Sequence, residues 1–106
     1  MRGYKVLTRK RRSCIMLIKK GGRRYPLSQT VMSKRGYGPL CVFTHKRHAT
    51  HFRRVQFYPR DWLIVKCKYM PSNVNSVWRR NRRDFEHLLH TLPEGTALAT
   101  TVTCLE

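Results

Sequence analysis

A chain of 106 residues, 41% hydrophobic and carrying 23 Lys+Arg against five Asp+Glu, has a formal net charge of +18. Its length allows one domain spanning 1–106, because compact domains usually run to about 100 to 150 residues. Its apolar share excludes a purely disordered basic tail, and its charge goes well beyond the roughly 2 to 8 that solubility asks of a small domain.

Tyr4 to Thr8 and Cys14 to Ile18 read as two strands, with Arg9-Lys10-Arg11-Arg12 as the exposed turn between them. After Lys19 and Lys20, Gly21-Gly22 lets the chain reverse into an edge strand over Arg24 to Leu27, which Pro26 limits to the sheet edge. Ser28 to Gly38 is polar and glycine-punctuated, hence a loop, and Leu40-Cys41-Val42-Phe43 is a short buried strand.

Thr44 is the expected N-cap of a short helix running from His45 to about Arg54. Val55 to Tyr58 offers a further strand. Trp62 to Met70 is the clearest one, because Leu63, Val65, Cys67 and Tyr69 alternate with Ile64, Lys66 and Lys68. From Asn81 to Leu92, the residues Phe85, Leu88, Leu89 and Leu92 recur at i, i+3, i+4 and i+7, which predicts a longer amphipathic helix. Pro93-Glu94-Gly95 ends it, and Ala97 to Leu105 supplies a last strand with Leu98, Val102 and Cys104 facing one way. The fold class expected is α+β: a small single domain with a mostly antiparallel twisted sheet of roughly five to seven short strands, one short helix and one longer helix.

The acids are unevenly placed. Asp61, Asp84, Glu86, Glu94 and Glu106 all lie beyond residue 60, so residues 1–60 contain no carboxylate side chain. Such an excess repels itself in the folded state, and a polyanion would relieve the repulsion. Three clusters stand out as candidate phosphate contacts. The first comprises Arg9, Lys10, Arg11 and Arg12 at the turn, with Lys19, Lys20, Arg23 and Arg24 around the reversal.

The second is one face of the short helix, where Lys46, Arg47, Thr50, Arg53 and Arg54 oppose Ala49 and Phe52 at about 100° per residue. The third is Arg79, Arg80, Arg82 and Arg83 at the start of the longer helix, where an anion would offset their clash with the helix dipole. Aromatic residues sit among these cations. Tyr58 and Trp78, if exposed, would stack on unpaired bases, which favours RNA over DNA as the partner.

Metal and catalytic chemistry have weaker support. Cys41, His45, His48 and His51 place four potential zinc ligands within eleven residues, but their spacing matches none of the usual zinc signatures. Catalysis lacks clustered carboxylates, and a Cys41–His nucleophile pair would have nothing nearby to orient its base. No Walker loop, dinucleotide fingerprint or zinc-hydrolase motif is present. No catalytic residue, cofactor or small-molecule substrate is therefore expected.

Four widely spaced cysteines fit reduced thiols in an intracellular setting, and no apolar run approaches the roughly 18 residues of a membrane span. The expectation is a non-catalytic nucleic-acid-binding protein, structural or accessory in a ribonucleoprotein such as a ribosome, contacting other proteins of that assembly and cytoplasmic. Alternatives are a viral or phage DNA- or RNA-binding accessory protein and a basic module that docks on an acidic protein. Mitochondrial, nuclear and virion-associated locations remain compatible, since an Arg-rich, acid-poor N-terminus also suits a presequence.

Overall fold

A computed structural model describes residues 1–14, 23–33, 37–56, 61–78 and 86–106. Among the described residues, seven strands and one α-helix occur in the order β1 (Arg2–Leu7), β2 (Thr30–Met32), β3 (Leu40–Phe43), α1 (Lys46–Val55), β4 (Leu63–Pro71), β5 (Ser76–Val77), β6 (His87–Leu88) and β7 (Thr96–Cys104), with a 3-10 turn at Leu89–Thr91. Strand β1 pairs with β3 and β4, and β7 pairs with the same two strands, so β1, β4, β7 and β3 close into a barrel-like ring. All of these pairings are antiparallel. β2 continues along β7 where β3 stops, pairing Val31 with Val102.

Closure removes most of the free strand edge and divides the apolar residues into two sets. Leu7, Leu40, Val42, Val65, Cys67, Tyr69, Ala99, Val102 and Cys104 fill the ring, together with Tyr25 and Val31. Val6, Cys41, Phe43 and Leu98 face the other way and meet Ala49 and Phe52 of α1, with Cys14 and Val77. Strands β1 and β3 therefore carry apolar residues at consecutive positions, because each is covered on both faces. Helix α1 crosses this outer layer and anchors through Phe52, whose ring lies 5.4 Å from that of Phe43 and stacks at 6.0 Å on Trp62.

The alternation read in β4 holds from Val65 onward, with Val65, Cys67 and Tyr69 buried and Lys66 and Lys68 exposed; at the start of the strand it fails, since Leu63 is exposed and Ile64 packs against the helix-side core. In β7 the phase breaks. Met70 pairs with Thr101 but Pro71 pairs with Ala99, so Thr100 is an extra residue, a β-bulge. Leu98 consequently packs on the helix side while Val102 and Cys104 enter the ring, which corrects the expectation that all three share a face.

The longer helix is not found over 86–92; its first part, 81–85, lies outside the described residues. His87–Leu88 pairs instead with Ser76–Val77, and Leu89 N–H donates to the Asn75 carbonyl at 2.8 Å. Leu88 is exposed, whereas Leu89 and Leu92 pack against the helix-side core, so the expected stripe is split. Strand pairing and a single 3-10 turn satisfy these backbone groups and override the helical spacing.

Smaller corrections have similar causes. Ser28 to Gly38 holds β2 because Val31 alone provides the inward contact that a three-residue strand needs. Arg24 to Leu27 makes only isolated bridges, Arg24 to Arg12 and Leu27 to Cys104. Val55 closes α1 rather than opening a strand, and Phe57 and Tyr58 lie outside the described residues. The Cys14 to Ile18 strand is described only at Cys14. His45, not Thr44, is the N-cap; the Thr44 hydroxyl contacts His45 Nδ1 at 2.9 Å and donates to the Gly95 carbonyl.

Candidate nucleic-acid interface

Helix α1 rests on the barrel by a narrow side. Ala49 and Phe52 are its buried residues, and Lys46, Arg47, His51, Arg54 and Val55 are exposed. At about 100° per residue, Lys46, Thr50, Arg54, Arg47, His51 and Val55 follow one another around roughly half the helix circumference. No acid lies anywhere in the helix. Lys46, Arg47, Thr50, His51 and Arg54 line one open depression along this surface. Ten residues at 1.5 Å rise give a strip about 15 Å long, presenting ammonium, guanidinium, hydroxyl and imidazole groups to solvent.

Four of the five helix residues singled out in sequence, Lys46, Arg47, Thr50 and Arg54, thus share one surface. Arg53 does not: its Nη1 donates to the Trp62 carbonyl at 3.3 Å, holding the helix to the segment before β4. His51 joins the surface instead. Its position about 40° from Arg47 on the helical wheel is the signal that could have assigned it there. The placement of Arg53 and Arg54 in the last turn also suits the negative end of the helix dipole.

The turn cluster is placed at a loop tip, as its spacing suggested. Thr8 N–H donates to the Arg12 carbonyl and Arg11 N–H to the Thr8 carbonyl, both at 2.8 Å, and Arg9 and Lys10 project into solvent. Its members differ in role. Arg9 pairs with Asp61 at 3.1 Å, so at least one cation of the first 60 residues has a carboxylate neighbour in space. Both partners are exposed, and such a pair adds about 0 to 1 kcal/mol.

Arg11 is structural. With φ at 61°, it donates from Nε to the Tyr25 carbonyl at 2.8 Å and from Nη2 to the Glu106 carbonyl at 2.7 Å, tying the turn to the C-terminus. Arg12 and Arg24 are exposed and bridge each other through their backbones. Arg23 is half-buried, and its Nε is buried without a hydrogen-bond partner. Because Asp61 adjoins Trp62, the Arg9 pair sits beside the segment that Arg53 grips.

Lys19, Lys20, Tyr58, Arg79, Arg80, Arg82 and Arg83 lie outside the described residues. Trp78 is half-buried and packed on Gly38: a Cβ added there would approach the Trp78 ring to 2.8 Å. Phe52, the one Phe, Tyr or Trp in α1, is buried. Among the described residues, the interface therefore offers cations and hydrogen-bond donors without a stacking platform.

The zinc set does not assemble. Cys41 is buried in the helix-side core, His51 faces outward, and the His45 and His48 rings meet edge to face at 5.8 Å. Among the described residues no group of three His, Cys, Asp or Glu side chains could hold a metal ion. Burial raises the Cys41 thiol above its ordinary pKa, against the opposing pull of Lys5, and raises Cys14 and Cys67 to about 12. Thiols in that state are poor nucleophiles at neutral pH.

Sequence reasoning missed Lys5. It points into the ring at 1% exposure, where Nζ donates to Ser13 Oγ at 3.0 Å and to the Cys41 carbonyl, and lies 4.5 Å from the centre of the Tyr25 ring. Burial lowers its pKa, partly countered by the surrounding thiols. The alternating pattern of β1 does contain the signal, since Lys5 shares the phase of Leu7.

No helix among the described residues is long and apolar enough to cross a membrane. No protein-family model matches the sequence, and comparison with curated proteins and with solved structures likewise gives no match.

Proposed function

We propose that the chain is a non-catalytic nucleic-acid-binding protein that engages phosphates through the exposed half of α1, with the Lys10, Arg12 and Arg24 surface as an auxiliary contact. The acid-free half-circumference of the helix is the observation that carries this reading. An exposed helix with ordinary surface chemistry mixes charge signs, whereas the charged and polar groups on this one are cations, a hydroxyl and an imidazole, with Val55 at its end. Arg47 and Arg54 can fork onto phosphate oxygens, Lys46 supplies a mobile point charge, and Thr50 a neutral donor. Such a protein would serve as an accessory or structural component of a nucleoprotein assembly, a ribonucleoprotein or a viral or phage particle.

Binding of a mixed oligonucleotide pool, followed by fluorescence anisotropy, tests the reading. Log affinity should fall linearly with log salt, by about 0.7 to 0.9 per neutralised phosphate. Affinity independent of salt, or co-purification of an acidic protein with no retained nucleic acid after nuclease treatment, would replace it with the protein-docking alternative.

A further inference from the structure

We infer that the partner of α1 is duplex DNA in the B form, entered through its major groove. This rests on the nucleic-acid reading above and adds the form of the ligand. Three features of the helix decide it.

The first is prominence. Only Ala49 and Phe52 are buried, so about half the helix circumference stands clear of the barrel. A helix with its side chains is about 10–12 Å across, and the B-DNA major groove is about 12 Å wide and admits one. The major groove of an A-form RNA helix is deep, narrow and closed to side chains.

The second is the distribution of hydrogen-bonding groups around the exposed arc. Arg47 and Arg54 occupy its crest, about 20° apart, while Lys46 and His51 lie at opposite sides of them. A helix gripping one strand needs a single line of cations. One seated between two phosphate rails needs donors on both flanks and at the crest, which is the arrangement present.

The third is that, among the described residues, no stacking ring lies on this surface. Single-stranded recognition draws affinity from bases laid on aromatic side chains, and the one Phe, Tyr or Trp of α1 is committed to the core beneath it. Paired bases need no such platform. Arg47 and Arg54, at the crest, are positioned to reach base edges or phosphates, and Thr50 lies beside them.

The test compares affinities of the full chain for duplex DNA, duplex RNA and single-stranded DNA and RNA of matched sequence and equal phosphate number, at one salt concentration. Duplex DNA should bind about tenfold or more tighter than the others, and the double variant Arg47→Gln/Arg54→Gln, checked for fold by circular dichroism, should lose most of that preference. A major-groove ligand such as methyl green should compete, and a minor-groove ligand such as distamycin should not. Equal or tighter binding of duplex RNA or of a single strand overturns the inference while leaving the phosphate-binding reading intact. So does a duplex preference that survives in the double variant, or competition by distamycin alone. Absence of binding to all four ligands would overturn both.

Discussion

Lys5 allows a quantitative test of the fold. Its ammonium is enclosed by Ser13 Oγ, the Cys41 carbonyl and the Tyr25 ring, with no carboxylate among these partners, and burial lowers its pKa. Below the folded-state pKa the lysine is charged in both the folded and the unfolded chain, and contributes no pH dependence. Between that pKa and the unfolded value of about 10.4, the folded chain has released a proton that the unfolded chain still binds, so stability rises with pH. The slope reaches at most about 1.4 kcal/mol per pH unit.

The buried thiols act in the opposite sense above about pH 8.5, because their raised pKa values keep them protonated in the folded chain after the unfolded chain has lost those protons. Comparison with Lys5→Met isolates the lysine, since the thiols are common to both proteins. Urea unfolding over a pH series should show wild-type stability gaining on the variant as pH rises toward about 10.4. The constant offset between the two proteins includes about 1 to 3 kcal/mol for the Cys41 carbonyl left without its donor, so the slope is diagnostic and the offset is not. Parallel pH profiles for the two proteins would refute the placement of Lys5. Lys5→Arg, larger and permanently charged, should cost about 2 kcal/mol or more at every pH.

Other consequences are open to simple assays. Gly95 has φ at 83°, and a Cβ there would come within 2.2 Å of His48 Cγ. Gly95→Ala should therefore lower stability by about 2 kcal/mol or more in thermal denaturation and displace the N-terminal end of α1, whereas an unchanged Tm would contradict the packing of the helix on that turn. Arg11→Gln should lower Tm through loss of its bonds to Tyr25 and Glu106 while leaving the salt dependence of binding unchanged; the converse would make Arg11 a ligand contact. All four cysteines are buried, so a thiol-specific reagent should label the native protein slowly and the unfolded protein rapidly. Fast stoichiometric labelling in the native state would count against the core assignment.

The parts of the fold that sequence revealed are those governed by local pattern. From Val65 onward β4 alternates because one face fills the ring and the other meets water, and the acid-free arc of α1 follows from helical geometry alone. The parts that were hidden depend on partners distant in sequence. Thr100 shifts the phase of β7 only because Met70 and Pro71 pair around it, which sends Leu98 toward α1. Leu88, Leu89 and Leu92 have helical spacing, but β5 offers 87–88 a strand partner that no local window contains.

Lys5 shares the phase of Leu7 in β1, but closure of β1, β4, β7 and β3 is what encloses it. Within the candidate site, Arg53 and Arg11 were indistinguishable from free cations because their carbonyl partners, Trp62, Tyr25 and Glu106, are brought to them by folding. The stacking argument for RNA rested on Tyr58 and Trp78; the first lies outside the described residues and the second is packed on Gly38.

The most direct test of the account is the salt dependence of nucleic-acid binding in wild type and in single variants of the α1 surface. Lys46→Gln, Arg47→Gln and Arg54→Gln should each weaken binding and reduce the slope of log affinity against log salt by about 0.9 on B-form DNA, with Tm unchanged. Slopes equal to wild type in all three variants would show that the phosphates are held elsewhere and would contradict the assignment of α1 as the interface.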